Sequence, residues 1–579
     1  VTTGPDPARS VDGGEASSAE TALPSTEQRR ILANTAVMAA GTLVSRLSGF
    51  VRLTLLAAAL GVGLHGDIFT IANTVPNMFY ILLAGGVFNA VLVPQLVRAM
   101  KNDDDGGAAY VDRVMTLAIC FLALVTVALV VAAPWVMQLM LSEKFNAPEL
   151  AEQRQSAIDF ARFCLPQVFF YGMFVLVGQV LNARGRFGPM MWAPIANNVI
   201  SVAVLVAYLV AYGPASEAEQ QGPFTSGQEA LLGIGSTLGI VAQLLILVPY
   251  LRAAGIRYRP RFDVRGVGLG HTLHLAIWTV LFVIVNQIAY VVVVRLASSG
   301  TAGADDGTGI TIYSNVMLLV MVPHSIITVS LATAILPRLS AAAAGDDLAG
   351  LARTLGSTLR TALVVVVPIA AVLPAVAHPL AQVLWAHGAS AGKAYRFEAP
   401  MVLFGFAVIA FTVHYLVLRG FYALERNRLV FFVQCAIAAT NITLAITFVR
   451  RVDPWDTAPV LVLAYGCAYA VGAVLSGTLL IRLVRRGGAA GAARPGRWLA
   501  WLTRLLLAAA AVFVVATGIR LIVGDTLAEL GVGDGLVTAL LEVAIVGGAG
   551  AATLLGVAGL LRLSEVTSVV DTVTRRLGR

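Results

Sequence analysis

The chain has 579 residues, of which 58% are hydrophobic and only 12% charged, and its mean hydropathy is +0.82. That is about half the charge density of a soluble domain, so a soluble globular fold is excluded, while the length suffices for more than a dozen spans of ~20 apolar residues. The net charge of +8 does not signal nucleic acid, because Arg and Lys are scattered between apolar stretches rather than gathered in one basic domain. Cys120, Cys164, Cys435 and Cys467 lie inside apolar stretches with no CxxC pair or His/Cys cluster, so neither a disulfide framework nor a metal site is expected.

Residues 1–30, rich in Pro, Ser, Ala, Glu and Gly, lack the short apolar core of a cleavable signal peptide and read as a disordered cytoplasmic tail. Apolar runs then predict an all-α polytopic membrane protein of about fourteen helices. A first lobe, 31–253, holds spans at 31–60, 68–97, 114–141, 160–181, 190–212 and 230–251. A basic cytoplasmic linker, 254–266, leads to a second lobe, 267–486, with spans at 273–296, 310–336, 355–376, 399–418, 429–449 and 458–480. Residues 487–563 hold two further spans, 498–523 and 536–561, and 564–579 form a cytoplasmic tail. With loops assigned alternately to the two sides, roughly 28 Arg and Lys fall on the side of the N-terminus against roughly 8 opposite, which places both termini in the cytoplasm.

An offset of about 243 residues superposes several landmarks. Val93-Pro94-Gln95-Leu96 matches Leu336-Pro337-Arg338-Leu339, Ala133-Pro134-Trp135 matches His378-Pro379-Leu380, and Asn198 matches Asn441. The offset covers an even number of spans, so the two lobes form parallel, pseudosymmetric repeats around a central cavity, an architecture of alternating-access transporters. Proline recurring at helix ends in any membrane protein is the competing explanation.

Arg46 and Arg52 sit inside the first apolar run, where a mid-bilayer guanidinium costs at least ~2.5–3.5 kcal/mol. Lining a cavity and binding an anion such as a diphosphate is one reading; snorkelling to the headgroups or pairing with a structural acid is the other. Asp67 is either a latch that pairs with Arg52 across the outer mouth or an N-cap for the next helix. Asn73, Asn77, Asn89, Asn286, Gln287 and Asn315 either face the cavity or hydrogen-bond between helices. His324 and His414 are read as packed, neutral histidines, because the carboxylate pair of a proton relay is absent from the twelve repeat spans. No nucleophile elbow, phosphate loop or metal motif is present, so the chain is not expected to be an enzyme.

Ser45-Arg46-Leu47-Ser48-Gly49-Phe50-Val51-Arg52, Gly66-Asp67-Ile68-Phe69, Val75-Pro76-Asn77, Gly86-Val87-Phe88-Asn89-Ala90-Val91-Leu92-Val93-Pro94 and Leu181-Asn182-Ala183-Arg184-Gly185-Arg186-Phe187 resemble segments of the MurJ (MviN) family of the MOP exporter superfamily. Asn286-Gln287-Ile288 and Ala334-Ile335-Leu336-Pro337-Arg338-Leu339-Ser340 continue the resemblance, which covers the chain from about residue 34 to the end. It implies two six-helix lobes plus two C-terminal helices forming a groove for a polyprenyl tail. It also implies a flippase that moves lipid II, the undecaprenyl-diphosphate-linked precursor of peptidoglycan, from the inner to the outer leaflet of the bacterial cytoplasmic membrane. On that resemblance Arg46 and Arg52 bind the diphosphate region from within the cavity, and Asp67 is the acid at the outer end.

Departures from the family thin this anion site. Leu53 stands where many members have Asp, Tyr80-Ile81 where they have an Arg pair, Gly85 in place of a glutamate, and Leu318 in place of a cavity arginine. Some members bind sodium; here no acid lies within 273–296 or 429–449 to serve such a site, so no cofactor is expected and the membrane potential is the expected driving force. The expected partners are lipid II and membrane lipids, with cell-wall synthesis proteins as a further class. Two alternatives remain: export of another polyprenyl-linked glycan or amphipathic small molecule, and a nontransporting scaffold for cell-wall synthesis.

Overall fold

The computed structural model describes residues 26–84, 93–102, 105, 107–263, 269–488, 495–529 and 535–566; Asn89, Gly85 and most of both expected tails lie outside them. Hydrocarbon offers no partner for backbone N–H and C=O groups, so a chain this apolar satisfies them within helices. The helices are α1 (Thr26–Leu60), α2 (Leu64–Ile81), α3 (Val93–Asn102), α4 (Ala108–Val131), α5 (Ala133–Met140), α6 (Ala151–Cys164) and α7 (Gln167–Ala183). Next come α8 (Gly188–Tyr212), α9 (Glu217–Gln221), α10 (Ser226–Leu245), α11 (Leu247–Ala253), α12 (Leu269–Thr301), α13 (Ile310–Pro323) and α14 (Val329–Ala344). The last six are α15 (Leu348–Trp385), α16 (Glu398–Ala423), α17 (Asn427–Val449), α18 (Thr457–Arg486), α19 (Pro495–Glu529) and α20 (Leu536–Leu560). After α1, thirteen helices among the described residues are long and apolar enough to cross a membrane. They fall on the expected spans in order, which makes the chain an all-α, multi-pass membrane protein.

Local chemistry explains several boundaries. Thr225 and Gln228 form a capping box at the start of α10, and Ser216 and Glu219 form another at α9. The bonds from Ser216 hold the Glu219 carboxyl below its ordinary range. Pro323 ends α13, and one π-helical turn, His324–Thr328, carries the chain into α14. A missing proline N–H and a π-turn are the usual causes of such an interruption.

The helices before residue 254 pack chiefly on one another: α1 on α8, α8 on α10, α10 on α6 and α7, and α2 on α6 and α7. Those after residue 268 repeat part of the scheme, with α12 on α17, α17 on α18, and α18 on α16. Helices α19 and α20 pair with each other and lean on α15. The linker after α11 runs beside α4. Arg259 N–H donates to Asp112 Oδ1 at 3.1 Å, Arg261 N–H to Thr116 Oγ1 at 2.9 Å, and Arg113 makes a two-pronged ion pair with Asp263. The hydrogen bond from Arg113 is the main reason the exposed Asp263 carboxyl sits below its ordinary range.

Small residues and buried amides set the helix contacts, as expected where lipid tails are as apolar as leucine. Asn198 Nδ2 on α8 donates to Ser45 O and Ser48 Oγ on α1, both at 2.9 Å, next to Gly49. Its expected counterpart, Asn441 on α17, is buried. Where α10 crosses α8, a Cβ on Gly235 would lie 2.5 Å from Val204 Cγ1. A Gly235→Leu substitution is therefore expected to destabilise the protein by ~1–3 kcal/mol through overpacking. A lower unfolding midpoint in detergent is the outcome that checks it, and an unchanged midpoint would contradict this packing.

Candidate functional site

The amino-terminal and carboxy-terminal groups of helices meet most tightly at the end carrying the loops before α2, α9, α13 and α16. Asp67 lies at the centre of that contact. Its side chain is 1% exposed and faces the start of α13. Thr301 Oγ1 donates to Asp67 Oδ2 at 2.7 Å, Ile310 N–H to Oδ2 at 3.3 Å and Thr311 N–H to Oδ1 at 2.9 Å. A carboxylate on α2 thus satisfies the free first-turn N–H groups of a helix in the other group and meets the positive end of its dipole.

Contacts around Asp67 seal the same end. Thr70 and Thr311 hydroxyls lie 3.1 Å apart across α2 and α13. Gln220 Nε2 donates to Ala389 O at 2.9 Å, and Lys393 Nζ donates to Gln220 Oε1 at 3.1 Å. Gly388, at φ +55°, lets the turn before α16 press against the Ala58 carbonyl of α1, an approach and a backbone conformation that a side chain would oppose.

Beneath the seal lies a cavity of about 310 Å³ between α1, α2, α7, α8, α10, α12 and α13. Arg52 is the one charged residue in its wall among the described residues. It makes no ion pair or hydrogen bond there, and no carboxylate lines the space. Around it the wall is amide and hydroxyl: Asn73, Asn77, Gln167, Asn197 and Asn315, with Ser201, Ser236, Ser314, Tyr171 and Tyr290. Gln167 Nε2 donates to Asn73 Oδ1 at 3.1 Å, whereas the buried Asn315 Nδ2 and Ser314 Oγ have no partner among the described residues. Such a surface is electropositive and rich in donors, suited to an anion carrying hydroxyl and amide groups.

The expected site residues divide. Arg52, Asn77 and Asn315 come together in the cavity wall. Arg46 is exposed and lies about 9 Å further along α1, outside that wall. Asn286 and Gln287 are helix ties instead: Gln434 Nε2 donates to Asn286 Oδ1 at 2.8 Å, and Gln287 Nε2 donates to Met78 O at 3.0 Å. Asp67 neither pairs with Arg52 nor caps its own helix, because α2 begins at Leu64 with Gly63 as its cap. Gln167, Tyr171, Asn197, Ser201, Ser236, Tyr290 and Ser314 line the cavity without having been singled out. Polar side chains recurring inside apolar runs were the available signal.

Of the family departures, Leu53 and Leu318 line the cavity and Tyr80 packs on Tyr171 with ring centroids 5.0 Å apart. His324 and His414 bond to the Thr412 and Ser476 hydroxyls, at 2.9 and 3.1 Å. A second, wholly apolar groove of about 360 Å³ lies between α15, α19 and α20.

A family model described as "Lipid II flippase MurJ" matches residues 56–539. The chain belongs to this family. It is 27% identical over 422 residues to a probable lipid II flippase MurJ of Rhizobium meliloti (strain 1021), covering 71% of this chain and 74% of the relative. A homologue of the same description from Synechocystis sp. (strain ATCC 27184 / PCC 6803 / Kazusa) is 28% identical over 407 residues, 69% of this chain and 73% of its own. Among solved structures, a lipid II flippase MurJ in an inward closed conformation superposes with a TM-score of 0.66 at 17% identity, covering 91% of this chain and 99% of the other.

Asp67→Asn preserves shape but sets an amide donor against three donors already aimed at the carboxylate. The amides at the start of α13 are expected to exchange hydrogen about tenfold faster in this variant, corresponding to ~1.4 kcal/mol of lost protection. Exchange at the wild-type rate, read by mass spectrometry over that turn, would contradict the capping role.

Proposed function

We propose that this protein flips lipid II from the inner to the outer leaflet of a bacterial cytoplasmic membrane by alternating access. The observation that carries the reading is the uncompensated Arg52 in an amide-lined cavity directly beneath a sealed end. Arg52 holds the diphosphate, because a guanidinium gives fixed, forked donors to phosphate oxygens. Asn77, Asn315 and the neighbouring hydroxyls receive the sugar and peptide. Arg46 meets the anion on its approach along α1. Asn286 and Gln287 act on the cavity by fixing α12 against α17 and α2.

In this reading residues 31–253 and 267–486 are the two lobes that rock about the cavity, and both termini face the cytoplasm. The sealed end is then the outer gate, with Asp67 as its latch. The polyprenyl tail stays in the membrane along the groove of α15, α19 and α20, whose wall is apolar throughout. A cavity that carries net positive charge when empty is reset by the membrane potential, at ~2.3 kcal/mol per charge per 100 mV.

The test is depletion of the native flippase in a host cell, rescue with this chain, and direct measurement of lipid II exposed on the outer leaflet. Wild type is expected to restore exposure. Arg52→Ala is expected to lower it about 10- to 100-fold, the equivalent of one charge-assisted contact of ~1.5–3 kcal/mol. Arg46→Ala is expected to cost less. Exposure restored equally by wild type and by inserted Arg52→Ala protein would overturn the anion site, and exposure of a different lipid-linked glycan in place of lipid II would overturn the substrate.

A further inference from the structure

A third cavity, of about 340 Å³, opens between α15, α16 and α18 at the level where α19 begins. Its floor is aliphatic, built from Leu355, Leu359, Leu416 and Leu480. Gly356 and Gly477 keep it open: a Cβ on Gly477 would meet no atom within 4 Å, and one on Gly356 would touch only Trp498, at 3.4 Å. Arg485 closes one end, about 12 Å along α18 from Gly477.

The polar end is cationic and unsatisfied. Arg485 is exposed and has no ion pair or hydrogen bond among the described residues, and no carboxylate lines the groove. Arg360, further along α15 and outside the groove's wall, stacks its guanidinium on the wall residue Trp498 at 4.7 Å and on Trp501 at 5.7 Å. Arg485 lies in the last turn of α18, where the span ends, so the aliphatic floor lies in the acyl region and Arg485 among the headgroups.

We propose that this groove binds a diacyl phospholipid with an anionic phosphodiester headgroup. One acyl chain lies over the glycine-opened floor, and Arg485 takes the phosphate oxygens. Basic pockets between membrane helices favour anionic headgroups by ~1 kcal/mol per cation, about fivefold each. The site is independent of the substrate that crosses the central cavity, and it is separate from the groove of α15, α19 and α20, which has no charged residue in its wall. A bound lipid there would brace α15 and α18 against the start of α19.

Native mass spectrometry of the full chain in mild detergent, titrated with phosphatidylglycerol or phosphatidylcholine, tests the proposal. Phosphatidylglycerol is expected to be retained preferentially. Arg485→Gln is expected to weaken that retention about fivefold and Arg485→Lys to leave most of it, since the cation remains. Gly477→Leu fills the groove without a clash and is expected to remove the retained lipid. Gly547→Leu, which fills open space in the other groove, is expected to leave it in place. Equal retention of phosphatidylcholine, unchanged retention in Arg485→Gln, or equal loss in Gly547→Leu would overturn the site. So would loss of polyprenyl diphosphate instead of phosphatidylglycerol in Gly477→Leu, because the groove would then belong to the substrate's tail.

Discussion

One buried carboxylate, Asp67, lies at the contact between the start of α2 and the start of α13. Among the described residues Asp67 has no ion pair, and a charge removed from water without a partner costs several kcal/mol. What offsets that cost is the start of α13, two backbone N–H groups and the dipole behind them, together with the Thr301 hydroxyl at the end of α12. All three donors belong to the other group of helices. The carboxylate is satisfied only while the groups touch, so the seal is a two-state contact rather than a continuously adjustable one. The pairs Thr70–Thr311 and Gln220–Ala389 form around it, with the Lys393 ammonium on Gln220.

The cavity below follows the opposite rule. Arg52 is a cation with amides and hydroxyls around it and no counter-ion among the described residues. Leu53 and Leu318, in the same wall, occupy positions where the family resemblance calls for charge. The resulting site has one guanidinium and many neutral donors. On the proposed function, a diphosphate bound here would depend on Arg52 for ionic contact and on Asn and Ser side chains for the rest.

Most of the fold was legible in the sequence, because bilayer thickness and backbone hydrogen bonding impose a span length that apolar runs display directly. The site was less so. These helices are apolar on nearly every side, so no stripe tells which face of a span looks inward, and Arg46 and Arg52, on one helix, end in different surroundings. Asn286 and Gln287 look like cavity residues by composition, yet their partners lie on other helices, 148 and 209 residues away. The partners of Asp67 are 234 to 244 residues distant, close to the repeat offset, so its position was marked by the family motif while its task was set by tertiary contact.

On the proposed function, the α2–α13 contact opens for substrate to leave. Thr70→Cys and Thr311→Cys, introduced where two hydroxyls stand 3.1 Å apart, allow that contact to be locked by a disulfide after the native cysteines are replaced by alanine. Translocation of labelled lipid II by this variant in liposomes is the measurement. The account predicts that oxidation stops translocation and that reduction restores it; translocation at the full rate through the locked protein would contradict it.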